Sequence, residues 1–475
     1  MRSVDNTYVQ EIQPLVAVNN DTTQVIFEVN TGNTNYISLI DSYLITGVKL
    51  TDSSNADHAP AWSDTGVQVC FKESLGESLW KDIKLYINGK DVSDNAPNLY
   101  CQNAFLRRVL TDKGGQQNFI ASSCSVGAPS GDDDVAVPKG FQVGWKSADA
   151  FDMNDSFKNL NVGTGSIANQ MPSVRQYSAY RRATISPANS MNPYQVLTKP
   201  KLGMFLQKAA LPNNCSIRLV CTLSDQAQRV YDATSGGPAG YKALLTSCNL
   251  YLKYLKMSDP AVTMMQQLLA AGSIEYPIKY TKIEQVNVPA NSLISHTNLL
   301  TGPVPDRVLV AFFPSASISG SYTLSPYCCS PNENRSILNE LTSLYINANG
   351  KQYPQEQYQI TPTNDARQNS QALRPYIDYF NSYMADNADS FDSEKCPLIS
   401  YDQYISNYRV YVFNTRPDGL NEDAGASDIV NQGFVSVRGT QVNSSALVAS
   451  TMLVMGIYNA KVAISGSRQV ETIGF

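Results

Sequence analysis

Short runs rich in β-branched and aromatic residues recur along nearly the whole 475-residue chain, and this spacing constrains its fold more than any other feature. Clear examples are Val25 to Val29 (VIFEV), Val67 to Phe71 (VQVCF), Ile217 to Leu223 (IRLVCTL) and Leu250 to Leu255 (LYLKYL). Val308 to Phe313 (VLVAFF), Arg409 to Phe413 (RVYVF) and Lys461 to Ile464 (KVAI) follow the same pattern. Gly, Pro, Asn and Asp separate them, so they read as strands bounded by turns. Long amphipathic helices are scarce. The chain is therefore expected to be all-β, built from sandwiches with a few short helices. Its length exceeds what one ordinary core supports and points to more than one such unit.

One predicted helix organises the layout. Ser258 is placed to cap it, Asp259 and Pro260 open the first turn, the run Met264 to Ala271 continues it, and Gly272 can close it. It lies just past mid-chain, between two strand-rich halves, and reads as a connector. Each half contains a related hairpin, LYINGK at Leu85 to Lys90 and LYINANGK at Leu344 to Lys351. In both, an alternating strand runs into Asn-Gly, the pair best able to adopt positive φ in a tight turn. A short helix is predicted after each, over Asn98 to Leu110 with Pro97 as the first helical residue, and near Leu373 to Met384. The shared order of strand, turn and helix implies two related units.

The segment Thr111 to Ser166 has a different character, rich in Gly, Ser, Asp and Asn, and is too long for a routine connection. It reads as a long loop excursion from the first sandwich, with a shorter one at Thr415 to Gln432. Residues 1 to about 22 read as an N-terminal arm. The expected division is an arm at 1–22, a first sandwich at 23–257 carrying the 111–166 excursion, a connector at 258–274, and a second sandwich at 275–475.

Charged residues make up only 16% of the chain, against roughly 25% in ordinary soluble domains. Such a surface repels copies of itself weakly. Net charge is −5 and no basic block stands out, which argues against a general nucleic-acid-binding surface. The nine cysteines are irregularly spaced and form no CxxC, so they read as buried free thiols rather than a disulfide framework or a zinc site. The N-terminus lacks the apolar core of a signal peptide. The most apolar run, Ala446 to Tyr458, is shorter than the roughly 20 residues a bilayer requires and reads as a buried strand.

A search for chemistry yields no candidate site. The two histidines, His58 and His296, would have to supply any imidazole-based metal centre or nucleophile–base pair, and no GxSxG elbow supports the latter. No phosphate-binding loop occurs: the Gly-rich Ser235 to Gly240 lacks the Lys and the helix that such a loop needs. The acidic runs Asp132 to Asp134 and Glu422-Asp423 fall in the loop excursions and read as solvated. No catalytic, metal-ligating or cofactor-binding residue is assigned.

The order of motifs resembles the double jelly-roll major capsid proteins of Polinton-like viruses, adintoviruses, adomaviruses and virophages, and more distantly adenovirus hexon. The stretches that carry the resemblance begin with NYISLIDSYLITGVKL (Asn35 to Leu50), LYINGK, and NLYCQNAFLRRVL (Asn98 to Leu110). LGMFLQKAALPNNCSIRLVCTL (Leu202 to Leu223) closes the first half. EYPIKYTKIEQVNVPANS (Glu275 to Ser292), GPVPDRVLVAFFPSASISGSY (Gly302 to Tyr322), LYINANGKQYP, YRVYVFN and the terminal SALVASTMLVMGIYNAKVAI follow in the second. The chain departs from the family in having Ser325-Pro326-Tyr327 where Asn-Pro-Phe is common. The resemblance implies two tandem eight-stranded jelly rolls and a structural protein of the virion, not an enzyme. It further implies homotrimers with a pseudo-hexagonal outline, tiling an icosahedral shell around double-stranded DNA. Neighbouring capsomers, a penton protein and minor capsid proteins would be the partners, with assembly inside the host cell and no sequence-specific nucleic-acid binding. The other reading open to a β-sandwich chain is a carbohydrate-binding or glycan-degrading protein; glycan hydrolysis would need a carboxylate pair on facing strands.

Overall fold

In the first half, alternating apolar residues from two antiparallel sheets meet in one core. The strands are β1 (Val4–Ile12), β2 (Gln24–Asn30), β3 (Asn35–Thr51), β4 (Val69–Phe71), β5 (Trp80–Ile87), β6 (Lys90–Asp91), β7 (Tyr194–Thr198), β8 (Ser216–Leu223), β9 (Val230–Asp232) and β10 (Lys242–Met257). One sheet has the order β1-β10-β3-β7 and the other β2-β8-β5-β6, while β4 and β9 pair separately. Phe27, Leu85 and Leu219 from one sheet and Leu44, Val48 and Leu250 from the other are fully buried in the shared core. Burying each such side chain stabilises the fold by roughly 1.5–3 kcal/mol. The computed structural model describes residues 4–32, 35–51, 53–54, 69–72, 75–111, 194–232, 240–322, 326–327, 341–360, 372–386, 399, 401, 404, 409–415, 432–441 and 450–474.

The second half repeats the plan with β11 (Ile274–Val288), β12 (Ile294–Pro303), β13 (Arg307–Pro314), β14 (Leu341–Ala348), β15 (Lys351–Gln359), β16 (Val410–Asn414), β17 (Gln432–Gln441) and β18 (Ser450–Ile464), with β19 (Val470–Ile473) added beside β18. Its sheets are β11-β18-β13-β16 and β12-β17-β14-β15. With β4, β9 and β19 set aside, the eight strands of each half number 1 to 8, and both halves give the same two sheets, 1-8-3-6 and 2-7-4-5. The two LYIN strands are β5 and β14, the fourth of each set, and their Asn-Gly turns lead into β6 and β15, the fifth. Asn88 and Asn349 both take positive φ, 49° and 50°, as a tight hairpin turn requires.

Three longer helices complete the frame: α1 (Tyr100–Thr111), α2 (Asp259–Ala271) and α3 (Leu373–Asp386). α1 and α3 each follow the fifth strand of their half. α2 is the expected connector, but its ends are built differently from the expectation. Ser258 makes no side-chain cap, and Gly272 is extended (φ −177°) rather than left-handed, its N–H reaching back to Leu268 O. The helix over Asn98 to Leu110 is also corrected. Pro97 is not its first residue, because Asn98 sits at φ 59° and turns the chain before the helix begins at Tyr100.

Part of the segment 1–22 is strand. Val4 to Ile12 pair antiparallel with β10 from Met257 to Leu250, as the first strand of the first sandwich. Nearly every residue of β1 is exposed, so the strand is held through its backbone ladder rather than by burial, and alternation could not reveal it. Of the other segments, residues 112–166 and 416–431 lie outside the described residues, as do Val67 and Gln68 of the predicted VQVCF strand. The run Ala446 to Tyr458 is buried strand from Ser450 onward, as part of β18.

The halves stand side by side with the same polarity. β10 ends and β11 begins at α2, so each half starts its first strand and ends its last at that end. The β5–β6 and β14–β15 turns lie there as well. Hydrogen bonds tie like end to like end. Near α2, Tyr276 donates its OH to Ala210 O (3.0 Å), and Arg468 donates to Asn213 Oδ1 (2.6 Å). At the far end, Gln228 Nε2 reaches Ile318 O (2.9 Å) and Asp232 N reaches Tyr322 O (3.1 Å).

Candidate functional site

Of the residues a catalytic reading would draw on, only His296 is among the described residues. His296 lies half-buried on β12, paired with Val437. His58, Asp132 to Asp134 and Glu422-Asp423 lie outside the described residues. Among the described residues there is no group of three or more His, Cys, Asp or Glu able to hold a metal ion. Cys101, Cys215, Cys221 and Cys248 are buried free thiols. Burial pushes the Cys248 thiol up to about 12, against a weaker opposing pull from Thr46, so it remains an inert core residue. No described helix is long and apolar enough to cross a membrane.

The most elaborate polar arrangement is instead the seam between the halves. At its centre Arg107, on α1, donates to Asp94 Oδ1 (2.6 Å) and to the main-chain oxygen of Lys279 on β11 (2.7 Å). Thr281 on β11 returns its N–H to the same carboxylate oxygen (3.1 Å), and its hydroxyl donates to Asn103 Oδ1 (2.9 Å). Burial raises the Asp94 carboxyl above its ordinary value, while the Arg107 guanidinium and the Thr281 N–H oppose that rise. The neighbouring Asn95 adds a short parallel bridge to β11, donating to Thr281 O and accepting from Ile283 N, both at 2.9 Å. Sequence reading missed this network. Its contacts to β11 join residues 172 to 187 apart, and no local pattern marks them.

Apolar contacts join the halves more extensively. Tyr276, Ile278 and Tyr280 of β11 and Tyr458, Ala460 and Val462 of β18 belong to the same core as the first sandwich. Higher up, Phe105, Leu106, Val109 and Leu110 of α1 pack with Leu309, Ala311, Phe313, Leu453 and Met455, the outer face of the second half's β13 and β18. The opposite face of those strands, through Val308, Val310, Phe312 and Val454, packs on β14 and β17. Both faces are covered, which is why VLVAFF is continuously apolar rather than alternating. A short turn at Gly203 to Leu206 touches β11 so closely that a Cβ on Gly203 would stand 2.8 Å from Lys279 O. A seam built of shared cores, paired backbone and a buried ion pair fixes the two sandwiches as one rigid block.

No protein-family profile matches the chain, and no curated protein sequence matches it. Solved structures do. A chain of the Sputnik virophage aligns over 100% of this chain and 89% of its own length, with a TM-score of 0.56 at 12% identity. The PBCV-1 protein VP54, fitted into a reconstruction of the Sputnik virophage, aligns over 99% and 98%, with a TM-score of 0.51 at 12% identity. The fold is a double jelly roll. Coverage of nearly the full length on both sides means that the likeness extends to both sandwiches of the double jelly roll and to how they are joined.

Two outer surfaces of this double jelly roll are not part of its seam. On the first half, Tyr43 and Ile45 of β3, Leu197 of β7 and Tyr251 of β10 lie on the face turned away from the core, and none belongs to a buried cluster. Tyr43 and Tyr251 stack there with ring centroids 5.3 Å apart. On the second half, Leu373 and Ile377 of α3 stand one helical turn apart, each 45% exposed.

Proposed function

We propose that the chain is a major capsid protein. Three copies form a homotrimer with a pseudo-hexagonal outline, and these capsomers tile an icosahedral shell around a double-stranded DNA genome. The observation that carries this reading is the identical strand order of two sandwiches standing parallel in one chain. Two equivalent blocks per chain place six around a three-fold axis, and a ring of near-equivalent blocks packs in a plane with few gaps. The nearly full-length structural neighbours are capsid proteins, which supports the same role.

The chemistry fits a structural part rather than a catalytic one. A low charge density limits repulsion between neighbouring capsomers, and a net charge of −5 leaves neutralisation of the genome to other components. β7 opens at Tyr194 beside Val48, at the end of the sheet away from α2. In a shell that end faces outward and the α2 end inward. Penton and minor capsid proteins complete the shell at its vertices and joints. Within the chain, α2 marks the division between a first unit ending at Met257 and a second beginning near Ile274.

Light scattering on the purified protein tests this. Chains of 52.0 kDa are expected as a stable trimer of about 156 kDa, with three-fold particles of hexagonal outline in electron micrographs. A persistent monomer overturns the reading.

A further inference from the structure

The internal repeat also identifies which surfaces join one chain to the next. Within a chain, α1 of the first sandwich covers the outer face of the second sandwich's sheet, and every described side chain of α1 from Tyr100 to Leu110 is buried. The equivalent helix of the second sandwich is α3, since both follow the fifth strand of their half. α3 buries Tyr379 and Tyr383 on its own side, but leaves Leu373 and Ile377 exposed on another. The equivalent of the covered sheet is β10-β3-β7, whose outer face carries Tyr43, Ile45, Leu197 and Tyr251. So the joint that α1 makes on the other sandwich has a counterpart helix, with Leu373 and Ile377 exposed, and a counterpart sheet face, with Tyr43, Ile45, Leu197 and Tyr251 half-buried.

We propose that a second copy of this chain fills both vacancies: the Leu373–Ile377 stripe of α3 in one copy docks on the Tyr43, Ile45, Leu197 and Tyr251 face of the next, repeating between chains the joint that α1 makes within one. This rests on the capsomer reading and specifies its interface. Because helix and sheet lie on different halves, the contact is head-to-tail rather than two-fold, and it closes into a ring. The occupant is a copy of the chain because the chain already carries this helix-on-sheet joint between its own two halves. Asp41 and Lys253, next along the strands from Tyr43 and Tyr251, pair with each other at 2.9 Å, with Lys199 close to the same carboxylate.

A complementation experiment tests the pairing. Ile377→Asp spoils the helix surface and leaves the sheet surface intact, and Ile45→Asp does the reverse. By light scattering each variant alone is expected at 52.0 kDa, with the far-UV circular dichroism of the wild type. An equal mixture is expected to give a 1:1 dimer of about 104 kDa (2 × 52.0) that goes no further, since each partner has one working surface. Rescue by mixing also requires both variants to be folded. The milder Ile377→Gln and Ile45→Thr are expected to weaken the trimer in the same pattern at least tenfold. Variants that remain trimeric, or a mixture that stays monomeric, overturn the pairing and leave the capsomer reading standing. A monomeric wild type overturns both.

Discussion

Arg107 and Asp94 lie 2.6 Å apart with both side chains only 3% exposed, and the same carboxylate accepts the main-chain N–H of Thr281 from the other sandwich. A buried pair of this kind is costly to break, because the surviving charge has nowhere to go. Arg107→Ala or Asp94→Ala is expected to destabilise the fold by about 3–5 kcal/mol. The double replacement Arg107→Met with Asp94→Leu is expected to cost less than either single change, since it leaves no unpaired charge. Urea unfolding of the three variants checks this. An additive double variant would show that the two groups act independently.

The Gly203 contact makes a steric prediction about the same seam. A Cβ at this position would meet the main-chain oxygen of Lys279 at 2.8 Å, closer than side-chain carbons come to backbone. Neither the turn nor β11 can yield without opening the joint between the halves. Gly203→Ala is therefore expected to cost about 1–3 kcal/mol through overpacking. Gly272→Ala, on extended backbone with nothing within 4 Å, is expected to be close to neutral. Thermal melts of the two variants side by side make the comparison.

Buried thiols set an alkaline limit. Burial pushes Cys248 up to about 12, whereas in the unfolded chain a thiol ionises near 8.5. Only the neutral thiol fits the core. Its contribution is fully present below the unfolded value and is lost as pH rises from there towards about 12, because the unfolded chain gives up the proton first. The melting temperature is expected to fall with pH above roughly 9, and Cys248→Ala to flatten part of that slope. Peptide mapping after alkylation at neutral pH is expected to find Cys101, Cys215, Cys221 and Cys248 unmodified until denaturant is added. Reaction of any of these in the native protein would contradict the burial.

How much of this was legible beforehand depended on where each element finds its partners. The hairpins LYINGK and LYINANGK were readable because turn chemistry is local, and both lie at the same place in their sandwiches. A helix between the two halves was readable from Asp259 and Pro260 at its start, although Ser258 makes no side-chain cap. β1 was not, because most of its residues are exposed and it is held mainly by backbone groups of β10, with Tyr8 stacked on Tyr254. Asn98 to Leu110 was recognised as helical but not as the wedge between two sandwiches. Its buried Gln102, Asn103, Arg107 and Arg108 look like a solvated face in sequence, and are paired by groups far along the chain. The candidate assembly surfaces could not be read at all, since nothing local in the sequence sets the half-buried Ile45 and the exposed Ile377 apart from other apolar residues.

The two Asn-Gly turns, alike in sequence, separate turn geometry from seam chemistry. Asn88 and Asn349 have the same left-handed backbone, at φ 49° and 50°. Asn88 does more with its side chain: Oδ1 accepts the N–H of Ser216 at 2.7 Å, and Nδ2 donates to Arg468 O, on the second sandwich, at 2.7 Å. Among the described residues, no side-chain hydrogen bond of that kind ties Asn349 to the other half. Glycine suits the backbone at both positions, so replacing each Asn by Gly isolates the side-chain bonds. Asn349→Gly is expected to change stability by no more than a few tenths of a kcal/mol, roughly the cost of added chain freedom. Asn88→Gly is expected to cost about 1–3 kcal/mol, because the half-buried Ser216 N–H and the Arg468 carbonyl both lose a partner. Thermal unfolding of the pair decides the matter: equal shifts would mean that Asn88 contributes its turn alone and does not tie the two jelly rolls together.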